Sequence, residues 1–172
     1  MIFKGFKEKS NKKYIDKKLK NRVISQDNAR IKKVGVLINK DEAIDVKWFD
    51  TLAGALKVTP NNFQLIVFTK EKRSENVSFN NTYNEKNIGW GGTIKHPDLE
   101  RFINTAFDLL ISYYTEESIH LKLITTASNA KFKVGVLQED ERLNDLIIKT
   151  DLKDYSTFET ELLKYLKILN KL

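Results

Sequence analysis

The sequence contains no cysteine. Disulfides, thiol nucleophiles and cysteine-ligated zinc are thereby excluded. Only two histidines occur, His96 and His120, too few and too far from each other in the sequence to argue for a histidine zinc site. No metal site is expected from them. Long apolar runs are also missing. Nothing approaches the roughly 20 residues of a membrane span, and no apolar segment follows the basic start as in a signal peptide. The expectation is a cytoplasmic protein, in which the sequons at Asn76 and Asn80 are chance matches. The loops that cradle phosphate are lacking too. There is no GxxxxGK, and after Ile38 the chain reads NKDEAID, without the glycines of a dinucleotide fingerprint. No GxSxG elbow positions a serine. No catalytic constellation and no cofactor are expected.

What is present suits a single globular domain. Of 172 residues 41% are apolar, and ten are phenylalanine, enough for a sizeable core. The net charge of +7 is unevenly placed. Residues 1–33 hold twelve Lys or Arg against Glu8, Asp16 and Asp27, a net of +9, which leaves residues 34–172 at −2 with 18 basic and 20 acidic groups. The basicity belongs to one segment and has to be interpreted there.

Residues 1–30 form a basic helical arm ahead of an α/β domain over 31–172. Ile15, Leu19 and Val23 make one stripe, while Ile2, Phe3 and Phe6 cluster on another side, so interruptions are expected at Gly5 and at Ser10-Asn11. Two readings of the arm stand open. It packs its small stripe on the body and leaves its lysines in water, or it binds an anionic surface through Lys4, Lys7, Lys9, Lys12, Lys13, Lys17, Lys18, Lys20 and Arg22.

Beyond the arm the pattern alternates strand and helix. Lys33–Ile38 reads as a first strand, followed by a helix capped at Asp41 and running to about Lys57. Pro60-Asn61-Asn62 turns into a strand at Phe63–Phe68. Residues 70–82 read as a polar loop with a short edge strand, and Glu85–Trp90 as a further short strand. Pro97 opens a helix through Ala106. Leu109–Tyr113 is a short unbroken apolar run, as in a strand covered on both faces. Thr115 stands as the cap of the next helix, with Glu116 and Glu117 in its first turn. Phe132–Leu137 and Leu146–Ile148 complete the strands. Ser156-Thr157-Phe158-Glu159 has the capping-box form ahead of a closing helix. The sum is a three-layer sandwich, with a mainly parallel sheet of five or six strands and helices on both faces.

Open sheets of this kind bind ligands beyond the carboxyl ends of their strands. Carboxylates dominate there: Asp41, Glu42, Glu71, Glu116, Glu117, Glu139, Asp140, Glu141 and Asp151, against Lys40 and Lys70. Such an edge repels phosphate, and acids gather at helix starts in any case. A weaker pocket candidate joins Gly89, Trp90, Gly91 and Gly92 with Ser112 and Tyr113, although Trp90 reads more simply as an anchor for its glycine turn. KVGVL occurs twice, at Lys33–Leu37 and Lys133–Leu137, and each mid-strand glycine allows close approach to the backbone.

The stretches FKGFKEKSNKKY, GWGGTIKHPDLE, FDLLISYY, KFKVGV and ERLNDLII resemble a bacterial family catalogued only as a domain of unknown function. That resemblance implies a stand-alone α/β protein and carries no assigned activity. FDLLIS followed by a helix and AKFKVGV is also similar to the amino-terminal half of heptosyltransferase-type glycosyltransferases. Those enzymes need a second, nucleotide-binding domain where this sequence ends, so transferase activity is not expected.

The function expected from the charge layout is non-catalytic: a module whose basic arm docks on RNA or a ribonucleoprotein such as the ribosome. Two alternatives accompany it, a peripheral protein held on an anionic membrane surface by the same arm, and a Rossmann-like small-molecule or enzymatic domain using the carboxyl edge.

Overall fold

The structure, a computed structural model, describes residues 2–25, 27, 29–71 and 81–172. The sequons and most of the polar loop after Lys70 lie outside the described residues. Six parallel strands are hydrogen-bonded in the order β3-β2-β1-β4-β5-β6: β1 Val34–Asn39, β2 Phe63–Phe68, β3 Thr82–Tyr83, β4 Leu109–Tyr113, β5 Phe132–Val136 and β6 Leu146–Ile148. Five α-helices accompany them: α1 Ile2–Lys20, α2 Trp48–Ala55, α3 Pro97–Asn104, α4 Ile119–Ala127 and α5 Tyr155–Ile168.

Side chains alternate along the central strands and so feed two cores. Val34, Val36 and Ile38 of β1, with Leu109, Ile111 and Tyr113 of β4, face Phe49 and Leu52 of α2 and Phe158, Leu162 and Leu166 of α5. Leu37, Leu110 and Tyr114 face Leu99 and Phe102 of α3 and Leu123 and Ile124 of α4. β1, β4 and β5 are buried on both faces, which is why each reads as a solid apolar run.

α1 packs on the α4 side of the sheet. Its Ile15 and Leu19, each 6% exposed, join the second core beside α4. The helix is unbroken through Gly5 and Ser10-Asn11, contrary to the expected interruptions. Tertiary packing decides this. Asn11 is buried and donates through Nδ2 to Gly89 O (3.0 Å), while Gly92 N donates to Asn11 Oδ1 (3.0 Å). A polar residue that reads as a break on its own becomes the anchor point of the helix. Val23 lies past the helix end and is 88% exposed, so it does not extend the buried stripe.

Four other boundaries differ from expectation. Residues 40–42 make one 3-10 turn that stops at Ala43 in the left-handed conformation (φ 51°), and α2 begins only at Trp48. Thr115 does not cap α4, because its hydroxyl donates to Glu42; α4 starts after Ser118, which leaves Glu116 and Glu117 ahead of the helix. Glu85–Asn87 is a 3-10 turn followed by a single antiparallel bridge between Ile88 and Ile94. Asp154, not Ser156, caps α5, accepting from Thr157 N at 3.1 Å.

Candidate functional site

The strand order reverses between β1 and β4, the place where open α/β sheets open a crevice at their carboxyl ends. Here the chain fills that crevice with its own groups. Glu42 Oε1 accepts from Thr115 N (2.9 Å), Thr115 Oγ1 (2.5 Å) and Glu116 N (3.0 Å). A carboxylate of the protein therefore holds the two backbone amides that would otherwise face an incoming anion. Asn39 Nδ2 donates to Glu116 Oε2 (2.8 Å), and Lys70 closes on the other oxygen of Glu116. That hydrogen bond with Lys70 is the main reason the Glu116 carboxyl is held below its usual range. Asp41 accepts from Thr69 Oγ1 and Lys70 N, both at 3.3 Å, and Lys40 pairs with Glu71 (3.1 Å). One oxygen, Glu42 Oε2, is buried without a partner among the described residues. No group of three or more His, Asp or Glu able to hold a metal ion occurs among the described residues.

A second closure lies beyond β5. Gln138 Nε2 donates to Ser112 O (3.1 Å) and Tyr114 O (2.7 Å), and its Oε1 accepts from Asn144 Nδ2 (3.2 Å). The side chain folds back over Gly135, where a Cβ would stand 1.8 Å from Gln138 Oε1. In the other KVGVL copy Gly35 instead admits the Phe107 ring, 2.8 Å from where a Cβ would sit. One glycine makes room for an aromatic ring and the other for an amide plug.

The six residues of the weaker pocket candidate are not gathered into one site. Ser112 and Tyr113 are fully buried and point to opposite faces of β4: Ser112 Oγ shares a hydrogen bond with Thr125 Oγ1 (3.0 Å), and the Tyr113 hydroxyl donates to Leu152 O (2.7 Å). Gly89–Gly92 lies against α1. Gly92 has φ +80°, and a Cβ there would come within 2.6 Å of the Tyr14 ring. Trp90 is 48% exposed, so Asn11 rather than the tryptophan anchors this loop. His120 is not in a wet part of α4. It stacks on Phe68 with ring centroids 5.6 Å apart, and burial lowers its pKa.

The nine cationic candidates of the arm divide by direction. Lys4, Lys7 and Arg22 are spent on the body. Lys4 pairs with Glu85 (3.3 Å), Lys7 donates to Glu85 O (3.1 Å), and Arg22 meets Asp145 at 2.6 Å. Burial, then Lys95, lowers the pKa of Lys7. Lys9, Lys12, Lys13, Lys17 and Lys20 are exposed and have no carboxylate partner among the described residues. Lys9, Lys13, Lys17 and Lys20 follow one another at four, four and three residues, which puts them in one stripe on the outer face. Lys18 sits apart, 5.9 Å over the Tyr14 ring. Ahead of the stripe Ile2, Phe3 and Phe6 are 75%, 79% and 58% exposed.

Sequence reasoning could list these lysines but not sort them. The sorting depends on Asp145, Glu85 and the Gly89–Gly92 loop, all distant in the chain. No helix among the described residues is long and apolar enough to cross a membrane. The model of a family of unknown function, DUF6913, matches residues 7–169. No curated protein and no solved structure matches the chain.

Proposed function

Because the chain belongs to this family of unknown function, no activity comes with membership, and we propose that the protein is a non-catalytic module that docks on RNA through the outer face of α1. The observation that carries the reading is the row of lysines without carboxylate partners on a helix whose inner face is locked to the domain. Lysines on a helix held by Asn11, Ile15 and Leu19 keep their spacing before binding. Their affinity for phosphate comes from released counterions and needs no base contact. Tyr14, against Gly92, and Phe3 and Phe6, at the far end of the stripe, offer few stacking platforms along the lysine row. Binding with little sequence preference is therefore expected, as on the exposed phosphates of a ribonucleoprotein. The carboxyl edge is the poorer candidate, since Glu42 and Glu116 at its centre already meet donors of the chain.

The test keeps the whole chain, because deleting α1 would uncover the core that Ile15 and Leu19 complete. Lys9, Lys12, Lys13 and Lys20 are changed together to Gln, and binding to a fluorescent single-stranded RNA is followed by anisotropy at low salt. A loss of about a hundredfold is expected. Unchanged affinity in the folded variant would remove the proposal.

One observation favours a second reading. Ile2, Phe3 and Phe6 stand exposed at the start of the same helix, an arrangement suited to an anionic membrane surface, with rings in the interface and lysines on headgroups. Sedimentation with anionic vesicles separates the two. Phe3→Ser with Phe6→Ser abolishes vesicle binding in this second case and leaves RNA binding unchanged in the first.

A further inference from the structure

At the opposite end of α1 from its exposed aromatics, the helix and the end of α4 leave an open cavity of about 510 Å³ at the start of β5. This is the amino edge of the sheet, away from the acidic crevice. The volume lies within the range of small-molecule sites. Five cations line it, Lys17, Lys18, Arg22, Lys131 and Lys133, and no carboxylate does. The carboxylates behind the wall answer only two of them. Arg22 meets Asp145 at 2.6 Å, and Lys131 meets Asp27 at 3.0 Å and Asp108 at 3.1 Å. Lys17 and Lys18 carry no ion pair among the described residues.

Lys133 is the unusual member. It is only 4% exposed, yet its Nζ reaches no carboxylate; it donates to Thr125 O (2.7 Å) and, at 3.5 Å, to Thr126 O near the end of α4. An ammonium has three N–H donors, so one remains for a ligand. Thr126 lines the same cavity, is 8% exposed, and its buried Oγ1 has no hydrogen-bond partner among the described residues. A buried hydroxyl without a partner is costly to keep. Ser128 Oγ accepts from Ala130 N (3.2 Å) and retains its own proton to donate. Tyr14 and Val23 supply a non-polar wall.

We propose that this cavity binds a phosphate-bearing molecule of mononucleotide size, its phosphate on Lys18, Lys133 and Thr126 and its non-polar body against Tyr14 and Val23. Several donors converging from different directions suit a tetrahedral oxyanion, and charge-assisted hydrogen bonds of this kind are the strong ones. The site stands independently of the RNA reading, since neither Lys133 nor Thr126 belongs to the outer face of α1. The phosphate has two possible sources, a free nucleotide or the terminal phosphate of an RNA.

Calorimetric titration of the full chain with AMP and with inorganic phosphate tests it. Saturable one-site binding of AMP is expected, weakened at least tenfold by Lys18→Glu. Thr126→Val should weaken it several-fold without lowering the melting temperature, because valine fills the same space and removes a buried hydroxyl that has no partner. No saturation by either probe up to about 10 mM, or unchanged AMP affinity in both variants, overturns the proposal. Displacement of AMP by a 5′-phosphorylated oligonucleotide but not by its unphosphorylated form supports an RNA terminus as the source. Displacement by neither supports a free nucleotide.

Discussion

At the carboxyl edge, Glu42 is held by Thr115 and Glu116, Lys70 meets Glu116, and Gln138 plugs the space over Gly135. On the outer face of α1, Lys9, Lys12, Lys13, Lys17 and Lys20 meet no carboxylate among the described residues. Both regions are strongly charged and both lie at the surface. They differ in whether the chain itself supplies the counter-charge. Where it does, the charges fix loops to strands and leave little for a ligand. Where it does not, like charges stay close together on a rigid helix, an arrangement that an external polyanion stabilises.

Breaking the carboxyl-edge closure should cost stability and leave anion binding alone. The largest effect is expected from Gly135→Ala, whose Cβ would displace Gln138 and its bonds to Ser112 O and Tyr114 O. Overpacking plus the lost hydrogen bonds come to about 3 kcal/mol by urea denaturation. RNA affinity of the folded variant should match the parent. A drop in affinity would tie the two regions together and spoil the contrast.

Next in size is a pH effect at the amino edge. Burial first, then Arg22 and Lys18, bring the Lys133 amine down to about 8, with Asp145 acting in the opposite sense. Between that value and the ordinary 10.5 the unfolded chain keeps a proton that the folded one has released. Stability contributed by this group therefore rises with pH across the window, by about 3 kcal/mol in full. The check is the difference in unfolding free energy between the parent and Lys133→Met from pH 8 to pH 10. The value for the parent minus that for the variant should rise with pH, and a flat difference would show that burial does not lower the pKa of this amine.

Glu42→Ala should cost about 2 kcal/mol, because three donors at Thr115 and Glu116 lose their common acceptor. Thermal unfolding measures it. The smallest effect on stability belongs to the outer face. Lys9, Lys12, Lys13 and Lys20 changed together to Gln should move the unfolding free energy by less than about 0.5 kcal/mol. A larger destabilisation would mean that these lysines have partners in the fold.

The sheet was legible because parallel strands covered on both faces leave solid apolar runs, as at Val34–Asn39 and Leu109–Tyr113. α3 was legible for a local reason, with proline at its first position and His96 at the cap. Two of the misread boundaries hinge on distant partners. Thr115 looks like a cap until Glu42, 73 residues earlier in the chain, takes its hydroxyl. Ser10-Asn11 looks like a break until Gly89 and Gly92 receive the Asn11 amide. Asp154 and Ser156 both suit a cap, and nothing local chooses between them. The excess of lysine was plain in the composition, whereas its division into inward, outward and cavity-lining groups exists only after folding. The cavity at Lys133 and Thr126 left no sequence signal beyond a lysine inside a strand.

The most direct measurement is the salt dependence of RNA binding by the intact chain beside the variant with Lys9, Lys12, Lys13 and Lys20 changed to Gln. If the five outward lysines each meet a phosphate of single-stranded RNA, the slope of log K against log salt is about −3.5 in the parent and about −0.7 in the variant. A shallow slope in the parent, or the same steep slope in both proteins, would contradict the assignment of RNA docking to the outer face of α1.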